Sequence, residues 1–217
     1  MRPNEQNARS EAEILLGDYC SLLQQVGFPG LAPDAPEPFW SSALETAPGL
    51  GQFLEDYFSR LLLPCELPAI VTAFGHARRG EWRDLLAQDQ RLAAHLVPTP
   101  FAEPSRRMGS MQLARLRPLR DHRIVQRYLA AVESGQAHGW HTLVYGVTLS
   151  VYSLPMRQGL LYYSQETLLA LASAAARSGN FSQAEPDELL SSLLARIPEA
   201  VEAALAANHC GELLPKA

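Results

Sequence analysis

Apolar residues recur every three or four positions along nearly the whole chain, the period of a helix with one buried face. From Glu11 to Val26 the stripe is Ile14, Leu15, Tyr19, Leu22, Leu23 and Val26. Leu50 to Leu63 carries Phe53, Leu54, Tyr57, Phe58, Leu61 and Leu62, and Leu67 to Arg78 carries Ile70, Val71, Ala73, Phe74 and Ala77. Glu81 to Leu96 repeats the pattern with Trp82, Leu85, Leu86, Leu92, Ala93 and Leu96. Further helices are predicted to Leu116, across Ile124 to Val132, from Trp140 to Tyr152, from about Leu160 to Arg177 and from Pro186 to Ala207. In the last of these, Leu190, Leu194, Ile197, Val201 and Leu205 fall at helical spacing, and Pro198 predicts a kink.

The punctuation agrees with this reading. Four prolines and two glycines between Gly27 and Pro38 predict a long loop. Pro64 and Pro68 predict a tight turn between two helices. Gly80, Gly135 and Gly179 stand where helices close, and Ser105 and Asp121 stand where helices open. Ser153 and Pro155 fit the cap and first turn of the following helix. Gly146 lies inside an apolar helix at a cost of about 1 kcal/mol against alanine, which predicts a close helix–helix approach. No alternating β-branched run and no hairpin dipeptide is present. The expected fold is all-α: a single-domain bundle of about nine or ten helices over residues 11–208. Tails at 1–10, flexible, and 209–217 flank it.

Composition narrows the function. A chain of 217 residues with 47% hydrophobic and 19% charged residues can bury a sizeable core. A net charge of −5 argues against a nucleic-acid surface. Three cysteines, none in a CxxC pair, fit a reducing compartment. No apolar stretch of secretory or membrane-spanning type appears, so a cytoplasmic location is expected, with no membrane partner.

Sequence signals for catalysis are missing. There is no GxxxxGK[ST], GxGxxG, HExxH or GxSxG, and the expectation is that the chain is not an enzyme. Six histidines (His76, His95, His122, His138, His141, His209) are the candidate ligands and bases. His138 and His141 are three apart, but at a loop–helix junction, where capping or hydrogen bonding outweighs metal binding. His209 and Cys210 are adjacent and make a poor chelate within one chain; paired across a dimer they would make a better one. Tyr162 and Tyr163 predict one packed ring and one hydroxyl in water. The arginines at 106, 107, 115, 117, 120 and 123, with no lysine among them, form either a face paired with acids or a docking patch for an acidic protein.

Several blocks in order carry a family resemblance. Ser105-Arg106-Arg107-Met108-Gly109, followed by Leu113, resembles the "SRxMGxxLL" block of the UreF family of urease accessory proteins, which help insert nickel. His141 to Gly146 resembles its "HPVVYG" block, and the helix ending at Arg177 its long helix ending in "AAVRLG". Arg177, Gly179 and Gln183 fall at the spacing of its "RLGPLGQTxGQ" turn. Leu189-Leu190 and Arg196-Ile197-Pro198 are similar to its closing helix, and Ala43 to Ala47 to its "GLETA" block. The resemblance spans about Ile14 to Ala207. It implies an all-helical, dimeric scaffold without catalysis of its own. Such a scaffold binds a UreD/UreH-type accessory protein, recruits a UreG-type GTPase and presents the complex to apo-urease. It implies that nickel is handled by the partner complex rather than bound by this chain. The partner-binding residues it implies are Glu45, Arg106, Arg107, Tyr163, Arg177 and Gln183. The family's front motif is largely replaced: Ser41, Leu44 and Glu45 hold register, but Ala43 stands for a glycine. Ser182 and Asp187 depart from the later turn, and the basic-aromatic tail is missing. Two further readings stay open: an adaptor that kept the fold and lost the urease role, and a helical bundle holding a cofactor through His141 or His95.

Overall fold

The computed structural model describes residues 16–26, 49–178 and 186–209; the side chains at 18, 26, 175–178, 186–188 and 208–209 lie outside the description. These residues are mostly helical, with no strand among them. A short 3₁₀ turn, Gly17–Tyr19, leads into α1 (Cys20–Val26). Then come α2 (Leu50–Tyr57), a π-helical segment (Phe58–Glu66) and α3 (Leu67–Arg79), which run on without a break. After them follow α4 (Trp82–Leu96), α5 (Ala102–Arg115), α6 (Arg123–Glu133), α7 (His141–Val151), α8 (Met156–Ser178) and α9 (Pro186–His209). Joined in this way they make eight continuous helices among the described residues, slightly fewer than the nine or ten expected. The loop predicted at 27–38 and the tails lie outside the described residues.

The missing break is at Pro64. A proline inside an α-helix lacks the donor N–H and its ring collides with the carbonyl four residues back. Here the chain widens to the π register across Phe58–Glu66, with Pro64 inside it, so the i→i−4 collision does not arise. Pro68 then sits in the first turn of α3, where no donor is needed. The predicted tight turn is therefore a continuous helix. The run Leu50–Arg79 is long and apolar enough to cross a membrane by length and composition, but 56% of its most apolar window is buried within the protein.

The chain divides into two compact units. One comprises residues 1–63 and 157–203, the other 64–156 and 204–217. In the first unit the buried residues include Leu54, Tyr57, Phe58 and Leu62 of the α2 run, Leu160, Leu161, Tyr163, Leu168 and Leu171 of α8, and Leu193, Ile197 and Val201 of α9. The α9 stripe is centred on Leu193; Leu190, Leu194 and Leu205 flank it, half-buried. Gly51 lets α9 approach closely, since a Cβ there would lie 3.2 Å from Leu189 Cδ2. Arg196 clamps the same two helices. Its Nη1 donates to both Glu55 oxygens, at 3.0 and 2.7 Å, and its guanidinium lies 4.5 Å from the Phe58 ring centre.

In the second unit α7 is the central helix: every residue from His141 to Leu149 is buried. Both α3 and α5 pack on it, α4 packs on α3, and α6 packs on α4 and α5. Gly146 permits the α3–α7 crossing. A Cβ there would fall 2.4 Å from the Ile70 carbonyl oxygen and 3.0 Å from the Phe74 nitrogen, which bears out the predicted close approach. Gly80 and Gly135 close α3 and α6 with φ of 72° and 75°, the left-handed conformation that glycine adopts without strain.

Three predicted helix starts are corrected. α5 begins at Ala102, not Ser105, and no side chain caps it. Thr99 organises the turn before it, donating to Leu96 O at 2.7 Å and accepting the Phe101 N–H at 3.3 Å. α6 begins at Arg123 with His122 at the cap position, and Asp121 makes no cap. Ser153 takes a positive φ of 53° in the turn before α8.

Candidate interaction surface

The residues of the SRRMG block divide by face. The buried side of α5 is Ala102, Pro104, Ser105, Met108, Gly109, Gln112 and Leu113. Arg106 and Arg107 lie off that side: the Arg106 side chain is 43% exposed and Arg107 is exposed. Arg106 pairs with Glu103 at 2.5 Å, within its own helix.

What the buried side touches fixes where those arginines stand. Ser105 Oγ lies 2.7 Å from His141 Nδ1 and accepts the His141 backbone N–H at 3.4 Å. Burial pushes the His141 pKa down to about 3, so the ring is a neutral hydrogen-bonding group. That is the role expected of this histidine from its place at the loop–helix junction. A Cβ on Gly109 would lie 1.9 Å from Gly139 O and 2.8 Å from His141 N. The backbone of α5 therefore rests directly on the turn that starts α7.

That turn is itself pinned by Asp89. Its Oδ1 accepts the His138 N–H at 2.7 Å, and its Oδ2 accepts the Gly139 N–H at 3.0 Å and the Tyr128 hydroxyl at 2.6 Å. The Asp89 carbonyl accepts the Trp140 indole N–H at 2.9 Å. Asp89 is fully buried, and three donors replace the water a buried carboxylate would otherwise need. Burial, with the negative charge of Asp89, holds the Tyr128 hydroxyl protonated well beyond its ordinary range. The sequence reading missed this cluster. The signal was available: Gln88 and Asp89 interrupt the apolar stripe of α4 between Leu85 and Leu92, and a polar pair on a buried stripe needs partners.

The other arginines of the cluster are mixed. Arg117 is paired with Glu133, and Arg115 donates to Gln112 at 3.2 Å. Arg120 lies in the loop before α6 and Arg123 in its first turn, and both are exposed. Tyr163 is fully buried and Tyr162 nearly so. The expected wet hydroxyl pattern is not what forms, and Tyr163 offers no surface in this structure. Arg177 lies in α8 with its side chain outside the described residues. Glu45, Gln183 and Cys210 lie outside them altogether, as does the side chain of His209.

Among the described residues, one group could hold a metal ion. His76, Glu81 and Asp84 bring ligand atoms within 4.8 Å of one another. Glu81 is already engaged: Arg79 donates to Oε1 at 2.8 Å, and His76 Nδ1 lies 2.9 Å from Oε2. The Arg79 and His76 hydrogen bonds hold the Glu81 carboxyl at about 2. An ion would have to displace the guanidinium. His95, on the last turn of α4, is exposed, so it faces no enclosed cofactor.

A model of the UreF family matches residues 44–194, more than half of the chain. The chain belongs to the UreF family. The resemblance read from the order of its blocks is thereby borne out, and with it membership of a urease accessory-protein family. No curated protein matches, and no solved structure matches. In this UreF-family chain, two block glycines have a stated reason: Gly109 and Gly146 each stand where a backbone passes too close for a methyl group.

Proposed function

We propose that this chain is a urease accessory scaffold that brings a nickel-delivering GTPase to immature urease. It docks a UreD/UreH-type accessory protein and a UreG-type GTPase, works as a homodimer and leaves nickel to the partner complex. The supporting observation is the family match across residues 44–194. The turn locked by Asp89 adds a physical basis, because it holds the Arg106–Arg107 side of α5 in a fixed place. A surface fixed before binding loses less entropy on docking.

The test is co-expression with the accessory protein, the GTPase and apo-urease of one host. Affinity capture should retain the accessory protein, and Arg106→Ala/Arg107→Ala should weaken capture without lowering helicity. Absence of any captured urease component would refute the reading. The replaced positions Ala43, Ser182 and Asp187 favour a second reading, a protein-binding adaptor outside urease maturation. That adaptor would leave urease activity intact when its gene is deleted; the scaffold would not.

A further inference from the structure

We propose that the groove between α4 and α6 docks an acidic segment of a partner polypeptide, one carrying an apolar side chain between its carboxylates. The groove has a volume of about 500 Å³ and is open to solvent. Trp82, Ala130 and Ala131 supply apolar lining, and Arg83 and Arg127 stand beside them. Both guanidiniums converge on the same indole, at 5.8 and 5.4 Å from the Trp82 ring centre.

Among the described residues neither Arg83 nor Arg127 has a carboxylate at ion-pair distance, whereas Arg60, Arg79, Arg106, Arg117, Arg157 and Arg196 each do. Of the acids next to the groove in sequence, Glu81 pairs with Arg79 and Glu133 with Arg117, and Asp84 lies with His76 and Glu81 rather than at ion-pair distance from either groove arginine. Two like charges gathered over one ring leave a local positive potential that an incoming carboxylate would relieve.

The lining decides what kind of anion. A bare phosphate would satisfy the guanidiniums but leave the indole and the Ala130 methyl in water. A segment with an apolar side chain covers them and gains their burial. An open groove suits a length of chain better than a small molecule, which needs enclosure. Tryptophan and arginine are also the side chains that most often anchor protein interfaces.

The test uses the full chain and a fluorescein-labelled peptide of alternating Glu and Leu, read by fluorescence anisotropy. The control is the same peptide with Lys for Glu. The Glu peptide should bind and the Lys peptide should not. Arg83→Gln/Arg127→Gln should weaken binding by roughly tenfold, and Arg83→Lys/Arg127→Lys should weaken it less. Circular dichroism checks that each variant is folded. The proposal is overturned if both peptides bind alike, or if the Gln variant binds as the parent does. It is also overturned if inorganic phosphate or AMP displaces the peptide stoichiometrically, which would mark a small-anion site. Loss of self-association in the Gln variant would overturn it too, by assigning the groove to a second copy. None of these readouts involves a urease component, so the result is independent of the function proposed above.

Discussion

Replacing Gly109 by alanine sets two effects of opposite sign against each other. On an isolated helix the change stabilises by about 1 kcal/mol, because glycine is the poorer helix former. In this protein the added methyl carbon would stand 1.9 Å from the Gly139 carbonyl oxygen. Contacts under 3.0 Å are essentially unknown, and the obstacle is backbone on both sides rather than a movable side-chain end. To make room, α5 must withdraw by about an ångström from the turn at Gly139. That strain costs about 3 kcal/mol, the upper range of overpacking. It also stretches the 2.7 Å contact between Ser105 and His141, a buried hydrogen bond contributing about 1 kcal/mol. The net is a loss of about 3 kcal/mol. For a chain of this size the melting temperature should fall by about 6–12 °C, read by circular dichroism at 222 nm. Gly135→Ala is the control. It has nothing within 4 Å of its Cβ and only its positive φ to pay for, so about 1–2 kcal/mol should be lost. A Gly109→Ala protein that melts at or above the parent temperature would refute the close approach and the account of the SRRMG block built on it.

Three other outcomes are expected. Asp89→Asn keeps the shape but points an amide donor at N–H groups, and it should cost about 2–4 kcal/mol in urea unfolding, with loss of the near-ultraviolet signal from Trp140. Tyr128→Phe removes one of the three donors to Asp89 and should cost about 1–2 kcal/mol by the same assay. The pH dependence follows from His141: its folded pKa, about 3, lies below the ordinary value of 6.5. The unfolded chain therefore binds the proton first, and stability falls as pH drops below about 6.5, by at most about 1.4 kcal/mol per pH unit. Urea midpoints at pH 7.5, 6.0 and 5.0 should show that slope in the parent and a shallower one in His141→Gln; equal slopes would remove His141 as its source.

Much of the fold was legible because helix stripes are local. The residues read as apolar in α2, α3, α6 and α7 are largely those the structure buries. The errors are also instructive. Pro64 reads as a break because the sequence does not announce a π register. Ser105 reads as a cap because its partner, His141, is 36 residues away, and no local pattern reveals that the hydroxyl is needed there. Asp121 fails because the helix starts at Arg123, so that His122 rather than Asp121 stands at the cap position. Of the candidate site, the Arg106 and Arg107 positions were legible from the motif, and their exposure follows from helix geometry. Tyr163 was not, since two adjacent tyrosines in a mostly buried helix carry no mark of which face each takes. The convergence of Arg83 and Arg127 on Trp82 joins two helices and lies beyond any reading of either alone.

The three donors gathered on Asp89 have a consequence for how this protein opens. His138 and Gly139 belong to a connection between helices, where amide protons ordinarily exchange with solvent within moments. Their acceptor is reached only when α4 parts from α6 and α7. Deuterium should therefore enter these two positions as slowly as it enters the middle of α7, and a short loop should report the opening of the whole unit.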